Sequence, residues 1–385
     1  MRILFTGGGS GGHIYPLIAV AQKMKELTKD KAELYLDYLG PQDNFNSIFF
    51  SNEEINIHKL ISAKYRRYFS LANLVDVPKF FLGIFQALLK VLIIMPDIIL
   101  SKGGSGAFPV VLAGWFYRIP IIIHESDSVP GTSNILSAKL AGRVAVSFKL
   151  ALDYFDPRKT ALVGTPIRKE LKDVRLTSEV AKEQLKFSRK APLILILGGS
   201  QGAKKINDFV LTNLEKLIKE AQVLHQTGPA NFLEVQKLSR TALIDIPTKI
   251  KIENRYQVVS YLDNIDLKTA LNAADLVVSR AGSNTLNEIA MFGKPAIVIP
   301  LQNSANDHQR INAYEFAKGG GGVVIEEENL FSAIFLNQVE QILTAPGVIN
   351  KMSEASKKFF RSNAEEIIAK EILKITGLLE KVTTE

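Results

Sequence analysis

The chain is predicted to be an α/β protein of two domains, each a parallel sheet wound with helices on both faces. Three observations lead there. Short aliphatic and β-branched runs alternate with amphipathic stretches along most of the chain, as expected of strands joined through helices. That alternation starts twice, at Arg2 to Thr6 and at Pro192 to Leu197, and each start is followed by glycines and then a helix. The 385 residues also exceed the roughly 250 to 300 that one core usually serves.

The elements follow in order. After Arg2 to Thr6 comes Gly7-Gly8-Gly9-Ser10-Gly11-Gly12-His13, a helix from Tyr15 to Lys29, and a strand at Glu33 to Leu39. Further strands fit Asp97 to Ser101, Pro120 to His124, Arg143 to Ser147 and Thr160 to Val163. Gly164-Thr165-Pro166 breaks the alternation, so the first domain is taken as 1–164. A polar stretch leads to the second start and its loop, Gly198-Gly199-Ser200-Gln201-Gly202, then a helix from Lys205 to Ala221 and strands at Gln222 to Thr227 and Tyr256 to Ser260. Asp275 to Ser279 and Ala296 to Pro300 read as buried strands that complete a second domain over 165–350. Residues 351–385 read as helical, with Phe359, Phe360, Ile367, Ile368, Ile372 and Leu379 on an apolar side packing back towards the first domain.

Composition narrows the function classes. A hydrophobic share of 46% with 22% charged residues describes a soluble globular protein. Cysteine is absent, which excludes disulfides and thiolate metal sites. No basic-then-apolar leader precedes the first strand, which points to a cytoplasmic protein. The net charge of +8 is uneven: seven Lys/Arg face two Asp between Lys59 and Lys102. The same window carries Phe80, Phe81, Ile84, Phe85, Leu88, Leu89, Leu92 and Ile93 at helical spacing, with Pro78 expected in the first turn. Its uninterrupted apolar stretches read as too short, and Lys79 and Lys90 as too central, for a bilayer-spanning helix. A core helix with a basic rim and a face resting on anionic lipid, through Arg66, Arg67, Lys79, Phe80, Phe81 and Lys90, are the two alternatives. No recognition motif supports nucleic acid.

Both glycine loops lie between a strand and a helix, the context in which such loops bind phosphate. Residues 7–12 satisfy G-x-G-x-x-G, but an NAD enzyme needs an acidic residue ending the second strand, and Asp37 lies mid-strand. Arg280-Ala281-Gly282-Ser283 opens a third such mouth, where a helix dipole would suit phosphate. Thr285 and Glu288 have capping-box spacing; alternatively, Glu288 accepts hydrogen bonds from both hydroxyls of a ribose. No Asp-x-Asp triplet is present, and Glu125-x-Asp127 is the nearest approach to a metal site; neither metal nor cofactor is expected.

GGGSGGHIYP at 7–16, HESD at 124–127 with Gly131 and Asn134, GTPIR at 164–168, GGSQGA at 198–203, RAGSNTLNEI at 280–289 and DHQRINA at 307–313 together resemble the MurG family. The resemblance implies a GT-B fold, two Rossmann-like domains facing a central cleft. It implies an inverting transferase that moves N-acetylglucosamine from UDP-GlcNAc to the muramyl-pentapeptide of lipid I. It further implies peripheral binding at the cytoplasmic face of the plasma membrane. Carried over by position, Ser10, Gly11, Gly12, Asp127, Asn134, Arg168, Ser200, Gln201, Gly202, Leu262, Ser283, Asn284, Thr285, Leu286, Asn287, Glu288 and Gln309 form the donor set.

His13, Asp127 and Glu125 are the candidate catalytic groups. His13 lies at a helix N-terminus, where the dipole disfavours imidazolium. Asp127 stands where the family usually has an amide, since His124-Glu125-Ser126-Asp127 replaces His-Glu-Gln-Asn. Residues 102–106 also lack the aromatic that the family often shows there. Another UDP-sugar lipid transferase, a UDP-GlcNAc 2-epimerase and a non-catalytic UDP-sugar-binding membrane protein remain as alternatives.

Overall fold

The computed structural model describes all residues except 10, 42, 43, 63–71, 105, 174, 175, 200, 201, 245–254 and 381–385. It divides into two units, Met1–Lys169 with Arg361–Glu385, and Glu170–Phe360.

The first unit holds a seven-stranded sheet of β1 (Arg2–Thr6), β2 (Tyr35–Gly40), β3 (Asn56–Lys59), β4 (Ile98–Ser101), β5 (Ile121–Glu125), β6 (Arg143–Val146) and β7 (Thr160–Leu162). Its order is β3-β2-β1-β4-β5-β6-β7 and every pairing is parallel. Side chains alternate across it. Ile3 and Phe5 pack with Ile14, Leu17 and Ile18 on one face, while Leu4 packs with Ile99, Ile121 and Val110 on the other. Burial on both faces is why these strands read as continuous apolar runs.

The chain returns to this unit at its end. Helix Ala364–Ile375 sets Ala364, Ile368, Ala369, Ile372 and Leu373 into the core beside helix Gly11–Thr28. Ile367, assigned above to the apolar side, is instead exposed. The preceding helix, Pro346–Phe359, belongs to the second unit, where Phe359 meets Phe316 ring to ring at 5.1 Å.

The second unit holds β8 (Leu193–Leu197), β9 (Gln222–Gln226), β10 (Tyr256–Val259), β11 (Leu276–Ser279), β12 (Ala296–Val298) and β13 (Gly322–Val324). They form an all-parallel sheet in the order β10-β9-β8-β11-β12-β13. Both sheets therefore reverse direction beside their first strand, at β1/β4 and at β8/β11. In doubly wound folds, ligands bind outside the carboxyl ends of the strands at that point.

Several local expectations change. The first helix begins at Gly11 rather than Tyr15, so His13 lies inside its first turn. Lys205 to Ala221 is two helices, Lys204–Thr212 and Leu214–Glu220, separated at Asn213. Pro78 lies inside helix Ala72–Ile94 rather than in its first turn. By length and composition alone that helix is long and apolar enough to cross a bilayer, with a mean hydropathy of 1.9 over Asp76–Ile94. It is nevertheless half-embedded in the protein. Ala87, Val91 and Ile94, at helical spacing, are buried in the first unit's core, while Phe81, Phe85 and Ile93 are 65%, 62% and 78% exposed.

Candidate functional site

In the first unit, three loops meet at the β1/β4 switch point. β1 ends at Thr6, whose hydroxyl donates to the Leu39 carbonyl at 2.7 Å, and Gly7 and Gly8 follow. A side chain on Gly8 would meet His13 Nδ1 at 2.9 Å, so glycine is what lets the imidazole lie against this turn. β4 leads into Lys102, Gly103 and Gly104, and both glycines have left-handed φ, +80° and +91°. A Cβ on Gly103 would strike Asn134 Oδ1 at 2.4 Å, and one on Gly104 the Gly8 amide nitrogen at 2.8 Å and His13 Nε2 at 3.0 Å. The Gly103-Gly104 turn is thus packed between Asn134 and His13.

β5 supplies the third loop. Glu125 is buried, and its carboxylate accepts from the Asp127 amide (2.9 Å), the Gly131 amide (3.2 Å) and Asn134 Nδ2 (2.9 Å). Burial, then the nearby Asp127 charge, pushes this carboxyl up, while Lys102 and the donated hydrogen bonds pull it back. Lys102 is itself buried, which pushes its ammonium down against the pull of Glu125 and Asp127. His124 donates through Nε2 to the Gly164 carbonyl at 2.9 Å. Burial, followed by the Lys102 charge, pushes its pKa down to about 3.

Asp127 is only half-buried and His13 partly exposed, so both reach the surface of this mouth; Glu125 has the engagement of a brace. Gly11 is buried and Gly12 exposed at the first turn of the helix. Arg168 lies in the first unit, 3% exposed, with its guanidinium 3.6 Å from the centroid of the Tyr15 ring. That stacking fixes the orientation of a cation whose hydration is weak.

In the second unit, β8 delivers Gly198, Gly199 (φ +78°) and Gly202 (φ +80°). The loop is tied down by Gly198 N donating to Gln226 O at 3.1 Å, and a Cβ on Gly202 would strike the Thr227 carbonyl at 2.2 Å. Ser200 and Gln201 lie outside the described residues, as do Ser10, Arg66 and Arg67.

β11 delivers Arg280, and helix Ser283–Met291 starts directly afterwards with Gly282 as its cap residue. The capping box expected of Thr285 and Glu288 is therefore absent: Thr285 is the helix's third residue and Glu288 its sixth, beyond the amides that need a cap. Ser283, Leu286, Asn287 and Glu288 are buried and Asn284 and Thr285 half-buried. Asn287 Nδ2 donates to the Ser283 carbonyl at 2.9 Å. Buried Asn312 donates to the Ala281 carbonyl at 3.2 Å, anchoring the turn before the helix.

Arg280 reaches the carbonyls of Ile299 (3.2 Å) and Pro300 (3.3 Å) and pairs with Glu327, which Lys205 also grips at 2.7 Å. Burial pushes Glu327 up, but the two cations outweigh it and hold the carboxyl below its usual range. Glu327 gave no signal in sequence because it sits in a run of three glutamates that reads as a solvated surface. Gln309 lies in the first turn of helix His308–Lys318, which follows the loop after β12, and its Oε1 accepts from the Leu301 amide of that loop at 3.0 Å. Residues 300–304 of that loop, with Asp307, Arg310 and residues 326–328, line a pocket of about 350 Å³. Leu262 is buried just before helix Asn264–Ala273.

Two Rossmann-like parallel sheets, each with glycine loops at its switch point, give this chain the GT-B fold. The glycosyltransferase family 28 N-terminal domain matches residues 3–146 and the family 28 C-terminal domain residues 193–368. A curated relative from Clostridium tetani is 33% identical over all of this chain and 98% of its own length. Another, from Caldanaerobacter subterraneus subsp. tengcongensis, is 33% identical over 98% of this chain and 100% of its own. Both are named UDP-N-acetylglucosamine--N-acetylmuramyl-(pentapeptide) pyrophosphoryl-undecaprenol N-acetylglucosamine transferase. Among solved structures, Acinetobacter baumannii MurG superposes with a TM-score of 0.71 at 23% identity, covering 97% of this chain and 99% of that one. A Neisseria meningitidis UDP-GlcNAc 2-epimerase bound to UDP-GlcNAc reaches 0.67 at 14% identity, covering 97% and 100%. The chain belongs to the MurG family.

Proposed function

We propose that this chain transfers N-acetylglucosamine from UDP-GlcNAc, with inversion, to the muramyl-pentapeptide of lipid I, giving lipid II for peptidoglycan synthesis. The observation that carries this is the pair of switch-point mouths in a chain that matches relatives of that name from end to end. In the second unit, Glu288 takes the ribose hydroxyls, while Leu262, Gln309 and the turn at Ser283 enclose the rest of the donor. Amides of the 198–202 loop and of the helix beginning at Ser283 stabilise the charge that builds on departing UDP. Arg168, oriented by Tyr15, contributes a fixed cation.

On the first unit, His13 takes the proton of the acceptor hydroxyl as that oxygen attacks the anomeric carbon, and Asp127 is the rival for this role. Asn134 and the turn at Gly11-Gly12 lie near the donor sugar and the acceptor. The exposed side of helix Ala72–Ile94 rests on the cytoplasmic face of the plasma membrane, where anionic lipid would attract Lys79 and Lys90.

Incubation with UDP-GlcNAc and lipid I, followed by mass spectrometry, tests the proposal. It expects a lipid heavier by one N-acetylhexosamine. Conversion of the donor to its 2-epimer, UDP-N-acetylmannosamine, resolved by chromatography, with no UDP released and an unchanged lipid would instead identify an epimerase.

A further inference from the structure

We infer that Glu327 is a positioning residue for the donor: its buried carboxylate ties the glycine loop after β8 to the turn that opens helix Ser283–Met291, and so holds in register the two sets of backbone amides that receive the diphosphate. This rests on the donor-side roles proposed above.

The two turns start side by side. Leu197 and Ser279, the last residues of β8 and β11, are register partners in the parallel sheet. After β8 the glycine loop leads into helix Lys204–Thr212, and after β11 Arg280 and Gly282 lead into helix Ser283–Met291. Each helix start carries a partial positive charge, which favours a diphosphate but repels the other start before one arrives. Lys205 and Arg280 add a full positive charge to each turn. Left uncompensated, this charge pushes the two turns apart.

Glu327 supplies the opposing charge. It opens the short turn that follows β13. Two residues earlier, the Ile325 amide donates to the Val298 carbonyl of β12 at 3.0 Å and fixes the exit of the strand. The Glu327 side chain is 2% exposed, its Oε2 accepts from Lys205 Nζ at 2.7 Å, and its Oε1 pairs with the Arg280 guanidinium. Arg280 in turn donates to the carbonyls of Ile299 and Pro300, at the exit of β12, at 3.2 Å and 3.3 Å. One carboxylate therefore links the exits of four neighbouring strands, β8, β11, β12 and β13. Its Arg280 side is largely desolvated, so removing the anion leaves a cation without its counter-charge. The Lys205 side is exposed and contributes less. In this role Glu327 acts through the two turns and does not itself contact the donor.

The test uses the full chain with Glu327→Gln, Lys205→Met and the two together, and reads affinity for UDP and for uridine by calorimetry. Glu327→Gln is expected to weaken UDP by about 10-fold, because the amides move out of register. Uridine affinity is expected to stay the same, because Glu288 keeps the ribose. In turnover, the KM for UDP-GlcNAc rises and the KM for lipid I does not. Lys205→Met, a surface change, is expected to weaken UDP in the same direction by about 2- to 3-fold. It adds little to Glu327→Gln, since both cut the same link. Unchanged UDP affinity in Glu327→Gln, equal losses of UDP and uridine, or full multiplication of the two losses in the pair would leave Glu327 a support of the fold alone and overturn the inference. Should Glu327→Gln fail to fold, Lys205→Met decides: weaker UDP with uridine preserved upholds the link, and unchanged UDP overturns it. A wild-type chain with no affinity for UDP overturns the donor reading itself, and this inference with it.

Discussion

At the scale of single residues, the two rival bases differ in how the fold holds them. His13 is fixed in the first helical turn with both ring nitrogens against glycine backbone, whereas Asp127 sits half-buried on a loop braced by Glu125. His13→Ala is expected to lower single-turnover transfer at saturating donor by ~100-fold or more and abolish the acidic limb of the profile. Asp127→Asn is expected to cost little, and a collapse there with a mild effect in His13→Ala would reverse the assignment. A buried histidine in the second unit supplies a different residue-scale prediction. His225 Nε2 donates to Asn207 Oδ1 at 3.0 Å, and Nδ1 lies 3.0 Å from the Tyr256 hydroxyl. Burial pushes its pKa down to about 3 from the ordinary 6.5. The unfolded chain therefore binds this proton at a higher pH than the folded one does, and stability is lost as pH falls from about 6.5 towards about 3, at up to about 1.4 kcal/mol per pH unit. Urea unfolding between pH 7 and pH 4 checks it: His225→Gln lowers stability at pH 7 but flattens the slope, and an unchanged slope would refute the burial account.

At the scale of elements, the loops at the two switch points were legible because glycines directly follow strong strand patterns. Other details were not. Gly11 and Gly12 are poor helix formers, yet packing of Ile14, Leu17 and Ile18 draws the helix back to them and places His13 inside its first turn. β3 and β13, of four and three residues, lie at sheet edges and carry too little pattern to be seen. Spacing alone made Glu288 look like a cap, and only the helix start at Ser283 removes that role. Glu288→Ala is accordingly expected to weaken UDP by about 1–3 kcal/mol, measured by calorimetry; unchanged affinity with a lowered melting temperature would return the residue to a structural role. Helix Ala72–Ile94 carries the other element-scale prediction. Its buried side is Ala87, Val91 and Ile94, so changes at Phe81 and Phe85 leave the core untouched. Phe81→Ser/Phe85→Ser is expected to lower binding to anionic vesicles by about 10-fold or more, since each exposed ring contributes roughly 1.5–3 kcal/mol when buried. Transfer to a short-chain soluble acceptor is expected to persist. Equal loss on both acceptors would place these rings in the acceptor site instead.

At the scale of the whole molecule, the chain leaves the first unit after Lys169 and comes back at Arg361. Gly164, with φ +100°, marks the junction, since a Cβ there would meet Arg361 Cβ at 2.7 Å. The two starts of the alternation were enough to find two domains, but nothing in the local pattern of the tail says which sheet its last helix covers. That depends on the complementary faces of two helices more than 300 residues apart, Gly11–Thr28 and Ala364–Ile375. The first unit therefore cannot complete its core until the whole of the second has been made. A chain ending at Phe360 would uncover the side of helix Gly11–Thr28 that the last helix packs against and lose the burial of Ile368, Ile372 and Leu373. Each of those three contributes about 1.5–3 kcal/mol, against the 5–15 kcal/mol or so by which a typical domain is stable. Such a chain is expected to lose the cooperative unfolding of the first unit while the second still unfolds near its original temperature. The milder Ile368→Ala is expected to cost about 2–5 kcal/mol, confined to the first unit. Calorimetry with separately resolved transitions measures both. If the truncated and full-length chains unfold identically, the last helix is an ornament on the first sheet rather than part of its core.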